Sequence, residues 1–286
     1  MKTILLLLGV SIGATLFAQK NPTELAQPIV AEGKLLYKSE MASWFGTDIF
    51  LEKFSDMNIV GGYFSYTEGD TSTCIFFSDA EKPEVLGEIQ FDTTFNPSTA
   101  KVDLERRSFT NLENNLFVIR SKALDELRSD TMFIRYNNTD FNLIPVIKDG
   151  ERKVYVLTGT ASNGVVLFGN DYLLTFDAEN NLLTKKRIHQ NLIPVYLNGP
   201  DAKNTVGTIH SHLPETGDFM TATDICTAML YQDITHWETI TVVSEKYMNI
   251  WNCRTNTLTV VEKDIFKKID EDQEKRHGNK EKNNDD

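Results

Sequence analysis

Apolar and polar residues alternate along the early part of the chain in a pattern that predicts β-strands. Between Met57 and Phe95, apolar runs rich in β-branched and aromatic residues are separated by turn-forming residues such as Glu68-Gly69-Asp70. Short runs of this kind, bounded by turn residues, are typical of an antiparallel sheet. The predicted strands are Ile59–Tyr66, Cys74–Phe77 and Val85–Phe91.

The period of the pattern changes between Asn111 and Arg128, where apolar residues recur at intervals of three and four. This spacing predicts an amphipathic helix. The strand pattern then returns, with turn residues at Lys148-Asp149-Gly150 and Asn180-Asn181. The sequence therefore predicts a mixed α+β fold, with largely antiparallel sheets and few helices. The later predicted strands are Met132–Tyr136, Asn142–Ile147, Lys153–Leu157, Gly164–Phe168, Tyr172–Phe176 and Leu192–Leu197.

The two ends of the chain differ in composition from this central part. Residues 1–18 combine a positive start at Lys2, an apolar stretch and a small residue, Ala18, which is the pattern of a bacterial signal peptide. We therefore expect a periplasmic or secreted protein without a stable membrane anchor; the alternative is an uncleaved N-terminal anchor. Residues 19–33 carry two prolines and predict a flexible lead-in. Residues 265–286 are mostly charged or amide residues and predict a disordered tail.

Composition and charge exclude several classes of function. The chain has 286 residues and a formal net charge of −12, and its basic residues do not cluster. Because nucleic-acid binding depends on basic side chains that neutralise phosphates, we expect no nucleic-acid partner. The three cysteines are too few and too scattered for a disulfide scaffold or a thiolate metal cluster, so at most one disulfide is expected. The sequence does not indicate an oligomeric state.

The segment 205–224 carries the clearest candidate chemistry. It contains a short apolar strand that ends in His210 and His212, and side chains two residues apart on a strand lie on the same face. Thr221 and Asp224 then have the spacing of a helix N-cap and the third residue of its first turn. Two histidines and one aspartate form a possible zinc ligand set. The alternatives are a capping box without metal and two hydrogen-bonded histidines at a strand end.

This segment resembles the motif of the JAMM or MPN-type metallopeptidases, which reads His-x-His-Pro, seven residues, Ser, two residues, Asp. The spacing from His212 to Asp224 agrees with the motif, whereas Leu213 replaces the proline and Thr221 replaces the serine. The resemblance implies that His210, His212 and Asp224 bind zinc. It also implies that Thr221 helps to stabilise the oxyanion of the reaction.

The resemblance further implies a general base and a fold. In the family, a glutamate at the start of an earlier strand accepts the proton of the attacking water. Glu151, just ahead of the predicted strand Lys153–Leu157, is the candidate for this role, and Glu179 is a weaker one. The implied fold is a JAMM-like (cytidine-deaminase-like) region over residues 131–264. Residues 34–130 are expected to form a separate, sheet-rich N-terminal region.

Two functions follow as expectations. The first is an exported, zinc-dependent hydrolase of peptide or isopeptide bonds, whose partner is a peptide or protein of the bacterial envelope. The second is a non-catalytic secreted or periplasmic protein that keeps a JAMM-like fold for binding or for a structural role. The other candidates are weaker, because Cys226 falls on the apolar stripe of the helix after Thr221, and His189 and His236 have no motif partner.

Overall fold

The computed structural model describes residues 21–198 and 204–265. The predicted signal peptide, the first two residues of the predicted lead-in, and residues 266–286 of the predicted tail lie outside the described residues. The described residues form an α+β fold with few helices and largely antiparallel sheets, which confirms the coarse fold class.

The N-terminal segment is helical, although the sequence predicted a flexible lead-in over residues 19–33. Helix α1 spans Pro22–Leu25, and helix α2 spans Gln27–Lys53. The two prolines that suggested a loop, Pro22 and Pro28, lie in the first turns of these helices. A proline is tolerated there because the backbone N–H of the first turn has no intrahelical partner. The lead-in prediction is therefore corrected for the described residues.

The first sheet has four antiparallel strands in chain order and contains the three strands predicted between residues 57 and 95. Helix α3, Asn111–Ser129, confirms the predicted amphipathic helix. It covers one face of the sheet, where Leu116 packs in a cluster with Phe64. Helix α2 covers the other face, where Phe50 stacks on Phe76 with ring centroids 3.9 Å apart. The strands are β1 Val60–Glu68, β2 Thr71–Ser78, β3 Val85–Phe91 and β4 Lys101–Asp103.

Six strands follow α3: β5 Thr139–Lys148, β6 Glu151–Thr160, β7 Val165–Gly169, β8 Tyr172–Phe176, β9 Leu182–Arg187 and β10 Leu192–Tyr196. Strands β5, β6, β8 and β9 form one antiparallel sheet in that order, and β7 pairs with β10. Five of the six later predicted strands are confirmed. The sixth, Met132–Tyr136, forms turns and loop, and the backbone N–H of Ile134 donates to the Tyr172 hydroxyl at 2.9 Å.

The last sheet surrounds the histidine segment. Strand β11 runs parallel to β12, and helix α4 provides the crossover that parallel strands require. The remaining pairs in this sheet are antiparallel. The elements are β11 Gly207–Ser211, α4 Ala222–Thr235, β12 Thr239–Val243, β13 Tyr247–Asn252 and β14 Thr257–Glu262.

Helix α2 belongs to both halves of the chain. Its early residue Val30 is buried in a cluster with Trp251, and its later residue Phe50 is buried against the first sheet. At Gly33, an added Cβ would lie 2.6 Å from Ile225 Cβ and 2.9 Å from the Ala222 carbonyl oxygen, so only glycine permits this approach to α4. The boundary expected between residues 33 and 34 therefore falls inside one continuous helix.

The three cysteines are buried and form no disulfide with one another. Burial raises the pKa of the Cys226 thiol, as expected for a core cysteine on the apolar side of α4. No helix in the described part of the chain is long and apolar enough to span a membrane.

Candidate metal centre

Strand β11 and the residue that follows it present two histidines on one face of the sheet. His210 and His212 are buried, whereas Ser211 between them is exposed. This alternation agrees with the prediction that the two imidazoles lie on the same side of the strand. The backbone N–H of His212 donates to the carbonyl of Val243 at 2.9 Å, which extends the pairing beyond β11. The sheet therefore fixes the positions of both rings.

Asp224 approaches the same point from the first turn of α4. Thr221 is the N-cap of this helix, and its hydroxyl accepts a hydrogen bond from the Asp224 N–H at 3.1 Å. The N–H and hydroxyl of Thr221 donate to Asp224 Oδ2 at 2.9 and 2.8 Å. Asp224 Oδ2 also lies 3.1 Å from His212 Nε2, and Oδ1 lies 3.3 Å from His210 Nε2. The capping box is therefore present, and it aims the carboxylate at the histidines.

A third histidine completes the cluster, and the sequence motif does not contain it. His189 lies between β9 and β10, and its Nε2 is 3.0 Å from His212 Nε2 and 3.5 Å from Asp224 Oδ2. On the opposite side of the ring, His189 Nδ1 lies 2.8 Å from Asp171 Oδ1. Asp171 and His189 adjoin the open end of the β8–β9 hairpin, and the sequence analysis did not predict β9, so it could not bring these two residues together. The sequence offered one other indication that His189 could belong to the site, which is that the chain has only five histidines.

The four groups fit a metal ion. One ligand atom from each of His189, His210, His212 and Asp224 lies within 4.8 Å of all the others. In a tetrahedral site with bonds of about 2.0–2.1 Å, ligand atoms lie roughly 3.3–3.4 Å apart. Asp224 Oδ1 is 3.3 Å from His210 Nε2, Asp224 Oδ2 is 3.1 and 3.5 Å from the Nε2 atoms of His212 and His189, and those two nitrogens are 3.0 Å apart.

Two buried polar atoms of this cluster lack hydrogen-bond partners in the described part of the chain, which favours a cation between them. Among the described residues, His210 Nε2 and Asp224 Oδ1 have no hydrogen-bond partner, although they face each other. Leaving buried polar atoms unsatisfied is costly, and a cation between them would satisfy both. The buried cluster can therefore hold a metal ion.

Two buried carboxylates favour the protonated form of His189. Burial lowers the pKa of His189, but the charges of Asp224 and Asp171 more than offset this effect and raise the pKa to about 11. Burial raises the pKa of Asp224, but His189 and His210 outweigh it and hold that pKa well below its usual range. The two carboxylates therefore favour a positive charge in this buried site. A metal ion that replaced the imidazole proton would supply that positive charge.

Glu151 is not part of this cluster. It lies at the start of β6, its side chain is exposed, and its Oε2 is 2.6 Å from Lys153 Nζ. The hydrogen bond and charge of Lys153 lower the pKa of Glu151. Val156 lies five residues further along β6 and pairs with Tyr172, which follows Asp171 in the sequence. At about 3.3 Å per residue, Glu151 lies roughly 17 Å along the strand from that pairing.

Comparisons of the chain with protein-family models, with curated proteins and with solved structures found no match. The function is therefore inferred from the buried cluster and from the sequence that surrounds it.

Proposed function

We propose that this protein is a zinc-dependent hydrolase of the JAMM type that cleaves peptide or isopeptide bonds. The observation that carries the proposal is the convergence of His210, His212 and Asp224, which have the motif spacing, in one buried group of possible ligands. The donor set supports zinc, because zinc accepts imidazole and carboxylate ligands in compact sites. Calcium and magnesium prefer oxygen ligands alone.

Each residue has a separate part in this proposal. A bound zinc ion supplies Lewis-acid chemistry, since it lowers the pKa of water toward neutrality and polarises carbonyl oxygens. His210 and His212 present their nitrogens from a rigid sheet, and Asp224 contributes a negative charge. Thr221 positions Asp224 through two hydrogen bonds to Oδ2. Because its hydroxyl already donates to Asp224, Thr221 can act on an oxyanion only after releasing that bond.

We further propose that the protein is exported and acts on a peptide or protein of the bacterial envelope. The export proposal depends on the signal-like pattern of residues 1–18. The surroundings of the cluster suit an extended peptide, because β11 pairs only with β12 among the described strands. A free strand edge can add a peptide strand. Exposed apolar residues flank the histidines, with Ile209 66% and Leu213 44% exposed.

The hydrolase proposal is tested by removing the metal with a chelator and restoring zinc. We expect about one zinc per chain by elemental mass spectrometry, as a three-histidine and carboxylate site implies. We also expect cleavage of a mixed peptide library, including isopeptide-linked members, by the zinc-loaded protein alone. A zinc-loaded protein that cleaves no member of the library would exclude the hydrolase in favour of the non-catalytic alternative.

Replacing Glu151 by glutamine is expected to leave zinc content unchanged and hydrolysis within about twofold of wild type. The reason is that Glu151 is remote from the cluster and paired with Lys153. Breaking one exposed ion pair should have little effect on the free energy of unfolding, because solvent screens the two charges. The rate of peptide cleavage at saturating zinc is the measurement. A loss of tenfold or more at unchanged zinc content would restore Glu151 as the general base.

Two observations favour a non-catalytic metal protein as the second candidate. His189 brings a fourth protein group to the cluster, and closed sites with four protein ligands are typical of structural zinc. The carboxylate expected to serve as the base, Glu151, lies elsewhere. In this alternative, the metal ion stabilises the packing of α4 against the last sheet, and the protein surface binds a partner.

A further inference from the structure

The main chain and a buried carboxylate hold His189 in place. Asp171 is 3% exposed, and its Oδ1 accepts hydrogen bonds from the backbone N–H of His189 at 3.0 Å and from the ring Nδ1 at 2.8 Å. The Asp171 carbonyl accepts a further bond from the Ile188 N–H at 2.8 Å. The Asn170 N–H donates to the Asn191 carbonyl at 3.0 Å. These four hydrogen bonds fix the segment that carries His189 against the segment that carries Asp171.

The contact with Asp171 selects one form of the imidazole ring. An ionised carboxylate can only accept hydrogen bonds, so the nitrogen that faces Asp171 must carry a proton. If a metal ion replaced the second ring proton, His189 would keep its hydrogen on Nδ1 and would direct the lone pair of Nε2 into the cluster. A carboxylate, a histidine and a metal arranged in this order form a recurring unit that orients the histidine and raises its basicity.

The distances distinguish a ligand from a general base. A general base acts on a water molecule and so stands outside the shell of atoms that contact the metal. His189 Nε2 lies 3.0 Å from His212 Nε2 and 3.5 Å from Asp224 Oδ2. These two distances lie on either side of the roughly 3.3–3.4 Å between ligand atoms of one tetrahedral site. The geometry places His189 within the shell of ligands.

We infer that His189 is a fourth metal ligand and that Asp171 is the positioning residue that orients it. The inference rests on the metal site of the proposed function, but it does not depend on hydrolysis. It departs from the pattern of three protein ligands that the JAMM resemblance implies. The resting centre then has three imidazoles and one carboxylate. Hydrolysis would then require a fifth coordination position for water or substrate, or the release of His189 from the metal.

The test is the number of imidazoles around zinc in the purified protein, measured by X-ray absorption at the zinc edge. We expect three imidazoles in the wild type and two in His189→Ala. Zinc affinity, measured by competition with a chromophoric chelator, should fall by about 100-fold or more in His189→Ala. In Asp171→Asn, zinc affinity should fall by about 10- to 100-fold, which is the range typical of residues that orient a ligand without contacting the metal. This variant should retain three imidazoles around zinc.

Two matched variants serve as controls. His236→Asn removes an exposed imidazole outside the cluster, and asparagine tolerates the left-handed backbone of that position (φ 56°). Asp149→Asn neutralises an exposed aspartate at a turn with φ 51°. Both variants should bind zinc as the wild type does.

The outcomes separate this inference from the proposed function. Two imidazoles in the wild type, with unchanged zinc affinity in His189→Ala, would overturn the inference and leave the metal site standing. A wild-type protein that binds no zinc would overturn both. Because the imidazole count of the wild type requires no variant, a folding defect in His189→Ala does not obscure the result.

Discussion

Replacing His212 by alanine is expected to abolish zinc binding and leave the fold intact. The His212 Nε2 lies close to two of the other groups, 3.0 Å from His189 Nε2 and 3.1 Å from Asp224 Oδ2. Losing a direct ligand should weaken zinc binding by more than the roughly 100-fold that the loss of an outer residue can cost. The backbone bond from His212 to Val243 does not involve the imidazole and is retained. Zinc per chain after dialysis is the measurement, with circular dichroism to monitor the fold.

The control for His212→Ala is again His236→Asn, which removes a histidine of α4's C-cap without touching the cluster. It should retain the wild-type zinc content. If His212→Ala also kept stoichiometric zinc, the ligand assignment would be wrong and the metal would have to bind elsewhere in the protein.

Replacing Gly33 by alanine is expected to destabilise the protein by about 2 kcal/mol and to weaken zinc binding by roughly tenfold. The new Cβ would lie 2.6 Å from Ile225 Cβ, which is too close and cannot be relieved by rotating a side chain. The higher helix propensity of alanine offsets at most about 1 kcal/mol of the cost. Because Ile225 follows Asp224 in α4, the displaced helix carries the carboxylate away from the histidines. Chemical denaturation and chelator competition measure the two effects.

Gly46→Ala is the matched control, since it makes the same change in the same helix. Its new Cβ would lie 2.7 Å from Cys74 Cβ, and its other near neighbour, Phe91, also belongs to the first sheet. It should also destabilise the protein, but it should leave zinc affinity unchanged. Equal losses of zinc affinity in both variants would mean that general destabilisation, and not the contact between α2 and α4, weakens the site.

The sequence was sufficient for elements whose pattern is local. The strands of the first sheet and α3 follow from alternation or from a helical period of large apolar residues. Helix α2 was missed because its buried face includes small residues that carry no hydrophobic signal, among them Gly33, Ser39, Ser43 and Gly46. Pro22 and Pro28 also led to the wrong prediction of a flexible lead-in. A helix packed through small residues is visible only when its neighbours are known.

The residues of the candidate site also differ in whether the sequence could predict them. His210, His212 and Asp224 lie on one short segment, so their spacing was enough to predict that they converge. His189 and Asp171 come together at the open end of the β8–β9 hairpin, and β9 was not predicted from the sequence. Glu151 was placed by a resemblance to a family, and spacing along the chain did not determine which end of β6 faces the cluster.

The packing of α2 also sets a limit on the order in which this chain can fold. Thr23 and Val260, 237 residues apart, are joined by a hydrogen bond, and Val30 packs against residues of the last sheet. Contacts so distant in sequence close slowly, because the entropy of a long loop is lost before they form. The side of α2 that carries Val30 therefore stays uncovered until the last strands have been made. The C-terminal core is completed only after β14 has formed, and until then an exposed helix face is available to chaperones or to aggregation.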